Sequence, residues 1–437
     1  MLLIYTSKIT NRLNYVINLI FNELIGVDYS LTTNIDEFVS YEKEKLNYSE
    51  RQFNDEIFIA ANQILFERGI KEQTLNFIDF DESKAFFPTH RKESFLPFDP
   101  FAASFYLLSR YEEYLPYLKD IYGRFDAKES IAYQQGFLQK PVVNLWAKKI
   151  TEILKQKYPD FKTAERKYTF IPTIDIDAAY SYRLKGFIRT IGGYFKSIGK
   201  FDFKEIVERT KVLFGSMEDP FDNYQYQFDI QKKYNLKTIY FILFADYGVN
   251  DKNIPTQSRK FQSLIKTLGD YADVGIHPSY TSNFVSGKLP KEVKNLSLVL
   301  NKEITKSRQH FLILHLPVTY QNLVNLDITD DYSMGYASEI GFRAGICDSF
   351  YFYDLESELV TKLRIHPFAV MDGTLKDYMN VDAKDAMNYI KPLIDDVKAV
   401  DGTFISLWHN ESLSNKKRWQ GWKKLYEEMI EYALEKS

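Results

Sequence analysis

The stretch Thr169-Phe-Ile-Pro-Thr-Ile-Asp-Ile-Asp177 carries an apolar, strand-length pattern straight into two carboxylates, Asp175 and Asp177. Successive side chains of a strand point to opposite faces, so residues two apart share one face. Asp175 and Asp177 are therefore expected to project the same way from the carboxyl end of a strand, where α/β and barrel folds collect their chemistry. Two like charges held that close need a cation or a shared proton. A metal with a neighbouring base is the economical reading, and a strand that ends in a polar turn would read the same from these residues alone.

Outward from that stretch, apolar runs of strand length recur at 238–244, 274–277, 363–370 and 403–408, with helical patterns between them. Residues 258–268 place Phe261, Leu264, Ile265 and Leu268 on one face before Gly269, which is expected to stop the helix, and Pro290 is expected to open another bearing Val293, Leu296 and Leu300. Continuous rather than alternating strands, separated by amphipathic helices, imply a mostly parallel sheet covered on both faces. The expected fold is α/β, with a barrel-like (β/α) domain over residues 163–437.

Residues 1–162 read as a smaller α/β domain of unknown role. Strands are expected at 2–5 and 57–60, a helix at 13–24, and another opening at Phe98-Asp-Pro-Phe. There Asp99 suits the N-cap, Pro100 the first helical position, and Phe101, Phe105 and Leu108 a core stripe. A further helix near 143–155 leads into a charged linker, 155–167. At the other end, 416–436 reads as an amphipathic closing helix.

Composition bounds the function. At 437 residues the chain exceeds one ordinary core. Its 34 Phe and 32 Tyr supply core volume and, where exposed, flat faces for sugar rings or partner chains. A net charge of -3 gives no bulk attraction to nucleic acid or an anionic membrane. The single cysteine, Cys347, excludes an internal disulfide framework. No apolar run approaches the ~18 residues of a membrane span. The first residues also reverse the order of charge and apolar run found in a secretory signal, so a cytoplasmic location is expected.

The six histidines can be weighed singly. His90 lies in a basic loop. His277 follows the apolar run ending Val274-Gly-Ile276, and His409 follows Thr403-Phe-Ile-Ser-Leu-Trp408 in the same way. His310 and His315 flank 311–314, and His366 precedes Pro367. One histidine at a strand end has ready structural explanations. Three strand ends offering Asp, His and His form a set that suits metal-assisted hydrolysis of an amide or ester. A cation would polarise the carbonyl and acidify water, a carboxylate would take the water's proton, and an imidazolium would protonate the leaving amine.

The ordered series Thr173-Ile-Asp-Ile-Asp177, His277-Pro-Ser-Tyr-Thr281, Arg308-Gln-His310, Asp330-Asp-Tyr-Ser-Met-Gly-Tyr336 and Leu407-Trp-His409 resembles the motifs of the polysaccharide deacetylases, carbohydrate esterase family 4, whose catalytic unit is the NodB homology domain. The resemblance covers about 165–437 and is nearest to a bacterial branch with an additional N-terminal domain, which the segment Gly341-Phe-Arg-Ala-Gly-Ile-Cys347 also resembles. It implies a distorted barrel that removes N-acetyl groups from a carbohydrate or polysaccharide precursor with a divalent metal, zinc being the usual one. By that resemblance Asp175 is the base, Asp177 and His277 bind the metal, Arg308 orients the base, Asp331 or Asp330 is the acidic residue of the fourth motif, and His409 is the general acid.

Two departures matter. The second metal histidine would fall four residues after His277, where Thr281 stands, and a hydroxyl is a poor ligand beside imidazole. His310 is the candidate substitute. The Arg-x-Pro-x-Gly form of the third motif also lacks its Pro and Gly. Arg343, Asp331, Tyr280 and Trp408 are the expected substrate-binding residues, and Asp372 reads either as part of the same mouth or as a turn. Thr281 keeps two further readings open: a lapsed sugar-binding or assembly protein, and a metal-independent C–N hydrolase on the same barrel.

Overall fold

The computed structural model describes residues 1–435 as a mixed α/β structure. A four-stranded parallel sheet opens the chain, with β1 (Leu2–Thr6), β2 (Tyr29–Thr32), β3 (Lys45–Ser49) and β4 (Ile57–Ala60) in the order β2-β1-β3-β4. A hairpin of β5 (Phe77–Phe80) and β6 (Ser83–Phe86) follows. The helix Pro100–Leu108 starts as its sequence dictates: Asp99 Oδ1 accepts the backbone N–H groups of Phe101 and Ala102, and every residue of the helix is buried.

The second sheet has nine strands in the order β12-β13-β11-β10-β9-β8-β7-β15-β14. They are β7 (Thr169–Ile176), β8 (Ile239–Ile242), β9 (Asp273–Ile276), β10 (Lys306–Ser307), β11 (Asp330–Asp331), β12 (Phe350–Asp354), β13 (Leu359–Ile365), β14 (Val370–Met371) and β15 (Thr403–His409). All neighbours pair in parallel except β12 with β13. The register sets His409 opposite Asp175 and Ile276 opposite Ser307, so the carboxyl ends of β7, β9, β10 and β15 fall at one rim. The terminal strands β12 and β14 do not pair with each other among the described residues. Residues from β8, β14 and β15 and from the turns after β10 and β11 nevertheless meet in one small apolar cluster that includes Phe241, Leu312, Tyr332, Met371 and Leu407.

The main core runs without a break from the first sheet into the second. Phe105 packs edge-on to Tyr353 at 5.2 Å between ring centres. The segment Gly341–Gly345 lies against the N-terminal region, where Phe342 N–H donates to the Leu138 carbonyl (2.8 Å) and Val143 N–H to that of Gly345 (2.9 Å). A side chain at Gly341, whose φ is +125°, would stand 2.4 Å from the Leu138 carbonyl oxygen. Close packing of this segment thus requires a glycine there.

Several expected elements are redrawn. The run 363–370 is not one strand, because the chain leaves the ladder at His366-Pro367 between β13 and β14, as a proline without an N–H requires. The helix Arg259–Tyr271 passes through Gly269, held by tertiary burial of Phe261, Ile265 and Leu268. Three helices, Phe187–Gly199, Phe203–Leu213 and Tyr224–Tyr234, stand between β7 and β8, where the sequence reading expects helical pattern but assigns no bounds. The closing helix is shorter than expected, Trp422–Leu434, and Lys436 of the expected 416–436 lies outside the described residues.

Candidate metal centre and catalytic rim

The rim of the second sheet encloses a cavity of about 520 Å³ lined by Asp175, Asp177, His277, His310 and His409. Its far wall comes from the N-terminal region, through Ile121, Tyr122 and Arg124. Arg124 is locked in place: Nε donates to Asp120 (2.6 Å) and Nη1 to the Phe311 carbonyl (2.9 Å).

Hydrogen-bond partners decide which nitrogen of each imidazole is available. His277 Nδ1 lies 2.6 Å from the Arg308 carbonyl oxygen, which can only accept, so Nδ1 carries the hydrogen. Its Nε2 then faces Asp177 Oδ1 at 3.2 Å. His310 repeats the arrangement, with Nδ1 2.9 Å from Asp251 Oδ1 and Nε2 3.5 Å from Asp177 Oδ2. In the neutral imidazoles, lone pairs converge on a carboxylate. Asp177 Oδ1 is itself buried and without a hydrogen-bond partner in the protein. Donor atoms of Asp177, His277 and His310 all lie within 4.8 Å of one another. Four ligands about 2.1 Å from a zinc-sized ion stand roughly 3.4 Å apart, so the set fits a divalent cation with one position left for water or substrate.

The charges agree with such a centre. Burial alone would raise the Asp177 carboxyl, yet the facing imidazoles, His310 first, hold it well below its usual 3.8. Burial would lower His310, but Asp177 and Asp251 push it up to about 9. Either a proton or a cation compensates Asp177.

The turn that brings His310 inward begins at Arg308 and continues through two left-handed residues, Phe311 (φ 59°) and Leu312 (φ 54°). His310 stands where the resembled motif has its proline and Leu312 where it has its glycine, and the Leu312 side chain is buried in the inner cluster. Such a conformation costs a non-glycine residue about 1 kcal/mol or more.

Asp175 is buried beside this set. Arg308, fully buried, donates from Nη1 to Asp175 Oδ1 (3.0 Å) and Thr173 Oγ1 (2.6 Å), and from Nε to the Tyr332 carbonyl (2.9 Å). Asp372 clamps His409: its Oδ1 is 2.7 Å from Nδ1, and its Oδ2 accepts the His409 backbone N–H at 2.8 Å. His409 Nε2 points at the cavity, 3.8 Å from Asp177 Oδ2. Burial would lower His409, but Asp372, then Asp177 and Asp175, push it up to about 10.

The structure therefore brings together Asp175, Asp177, His277, Arg308, His310 and His409. It does not bring in the four expected substrate contacts. Trp408 is a core residue packed on Trp422 and Tyr426, because it alternates to the face opposite its neighbours Leu407 and His409. Asp331 is buried under hydrogen bonds from Ser307 (2.7 Å) and Ser333 (2.9 Å). Tyr280 packs edge-on to Phe311 behind the cavity wall. Arg343 pairs with Glu113 and reaches only the wall of a smaller neighbouring cavity of about 190 Å³. Thr281 turns away from the cluster to donate to Asp251 Oδ2 (2.8 Å).

Sequence reasoning misses Asp251. It lies in an irregular loop after β8 and has no spacing relation to the strand ends, yet it supports both His310 and the Thr281 turn. Asp372 is marked in the sequence only by its place after an apolar run.

Residues 2–159 match a family described as being of unknown function, DUF7033. No curated protein matches the chain. Among solved structures, a polysaccharide deacetylase candidate from Mycobacterium smegmatis is 10% identical, with a TM-score of 0.41, over 62% of this chain and 85% of that one. The polysaccharide deacetylase of Bacillus cereus is 8% identical, with a TM-score of 0.28, over 61% and 88%. A CE4-family pseudoenzyme from Bacillus anthracis is 11% identical, with a TM-score of 0.27, and the match spans 61% of each chain. Likenesses this distant assign no activity.

Proposed function

We propose that the chain is a metal-dependent amide hydrolase that removes N-acetyl groups from a carbohydrate or carbohydrate precursor, on a distorted barrel over 163–437 preceded by a smaller N-terminal α/β domain over 1–162. The observation that carries this reading is the convergence of Asp177, His277 and His310 on one point beside an unpartnered buried carboxylate oxygen. In this reading the three residues hold the cation, with zinc the expected ion for two imidazoles and a carboxylate. Bound there, it would polarise the acetyl carbonyl and acidify a water.

The rest falls to the chain's own groups. Asp175, oriented by Arg308, is placed to take the water's proton. His409, clamped by Asp372 with Nε2 toward the cavity, would give a proton to the departing amine. A base for the water and an acid for the nitrogen at one centre are what hydrolysis of an amide needs, because the nitrogen leaves only when protonated.

Metal analysis of the purified protein, together with acetate release from N-acetylated chito-oligosaccharides, tests the reading. Stoichiometric zinc, cobalt or nickel and chelator-sensitive release are expected. A metal-free protein that still binds the sugar would replace the proposal with a lapsed sugar-binding protein. Release that survives chelation would replace it with a metal-independent hydrolase.

A further inference from the structure

Of the three helices between β7 and β8, the first two, Phe187–Gly199 and Phe203–Leu213, are built inside out. Their inward contacts are largely polar: Arg189 donates to the carbonyls of Lys252 and Asn253 (both 2.7 Å), Tyr194 bonds Thr210 (2.8 Å), and Arg209 donates to Glu205 (2.9 Å) over the ring of Tyr182. Their outward surface is apolar. Phe187, Ile191, Phe195 and Ile198 recur at helical spacing along one stripe of the first helix, and Phe203, Val207 and Phe214 along one stripe of the second, with Phe201 in the turn. Phe187, Phe195, Phe201 and Phe214 are 79%, 69%, 80% and 84% exposed. Scattered apolar residues are normal on a protein surface, but a contiguous aromatic face of this kind marks a contact surface.

Charge identifies what it contacts. Residues 185–214 hold seven Lys or Arg against three Asp or Glu, although the whole chain carries -3. Lys196, Lys200, Lys204 and Lys211 are exposed around the apolar stripes. Short amphipathic helices with Phe and Ile on one side and basic residues beside them lie in the headgroup layer of anionic bilayers, adding apolar burial to charge attraction. A second copy of the chain would set these basic rims against each other. No helix among the described residues is long and apolar enough to cross a membrane. The helical pair leaves β7 at the rim that carries Asp177, and its Glu205 pairs with Lys417 (3.0 Å), two residues from Trp419 of the cavity wall.

From this arrangement we infer that the helices Phe187–Gly199 and Phe203–Leu213 form a peripheral docking surface for an anionic lipid bilayer, on the side of the molecule that bears the candidate site. Flotation of the full chain with phosphatidylcholine vesicles, with and without phosphatidylserine, tests it. Binding is expected to the anionic vesicles and to weaken as salt is raised. Both Phe195→Ser/Ile198→Ser and Lys196→Glu/Lys200→Glu are expected to lower partitioning about tenfold or more, with the thermal unfolding midpoint unchanged because all four residues are exposed. Absence of binding, equal binding to neutral vesicles at all salt concentrations, or unaltered binding by both variants would overturn the inference. So would a dimer in solution that either variant converts to monomer, which would assign the face to self-association.

Discussion

Arg343 and Asp177 both belong to clusters of charge in the interior, and the clusters differ in whether their hydrogen-bonding capacity is filled. Around Arg343, Nε and Nη2 form a two-point pair with Glu113 (2.9 and 2.6 Å) and Nη1 donates to the Gly335 carbonyl (3.0 Å). Arg110 adds bonds to Glu113 (2.8 Å), Glu112 (2.7 Å), Tyr336 (3.0 Å) and the Arg343 carbonyl. Neither guanidinium has an unpartnered nitrogen. Around Asp177, one carboxylate oxygen and one nitrogen of Arg308 are left without partners, and the imidazoles face a cavity. A buried ionic cluster with every valence used is a strut, here joining residues 110–113 to 335–343. One with open valences aimed at a cavity is a place where something binds.

The sharpest way to break this comparison is at the rim. Asp175→Asn and His409→Ala are each expected to reduce acetate release about 10³-fold or more, compared at equal concentrations of folded protein because each leaves a buried charged partner behind, Arg308 or Asp372. Turnover at wild-type rates would remove that residue from the mechanism. At the strut the expectation reverses. Glu113→Gln removes the carboxylate that two buried guanidiniums share, leaving Arg110 only the Glu112 carboxylate, and should cost about 3–5 kcal/mol in urea unfolding, with the metal content of the folded fraction unchanged. A cost near zero would mean that Arg343 and Arg110 find other partners.

A smaller effect is expected one bond behind the metal. Asp251→Asn keeps the shape but weakens the grip on His310, so metal affinity measured by chelator competition should fall about 10- to 100-fold, whereas His366→Gln, away from the cavity, should not alter it. The smallest effect is in pH. Burial would raise Glu113, but Arg343 and Arg110 outweigh it and hold its carboxyl below the ordinary 4.5. A depressed carboxyl contributes stability above its unfolded value and loses it as pH falls through the folded value. Wild type should therefore lose stability below about pH 4.5 more steeply than Glu113→Gln, judged from urea midpoints; parallel curves would contradict the assignment.

The site is more legible than the strut because strand ends announce themselves. An apolar run followed at once by Asp or His marks a carboxyl end, which is what singles out Asp175, Asp177, His277 and His409, and His310 lies only two residues past Arg308. Asp251 and Glu113 carry no such mark, since each acquires its role from a partner far along the chain. The same blindness misplaces Arg343: glycines on both sides suggest a mouth, but here they let the backbone press against Leu138. Trp408 is misplaced by one step of strand alternation. The helical pair at 187–213 goes unassigned because its apolar residues face outward, and no neighbouring element gives that face a reason in the sequence.

By itself the sequence determined the α/β class and marked strand ends carrying two aspartates and two histidines, because these depend on local periodicity. Tertiary structure alone decided that His310 turns inward on a left-handed backbone, that Asp251 and Asp372 hold the imidazoles, and that Arg343 belongs to the strut. The physical reason is range: a strand's alternation is set by adjacent residues, whereas the proton or cation a buried group requires is set by whatever distant chain is packed against it.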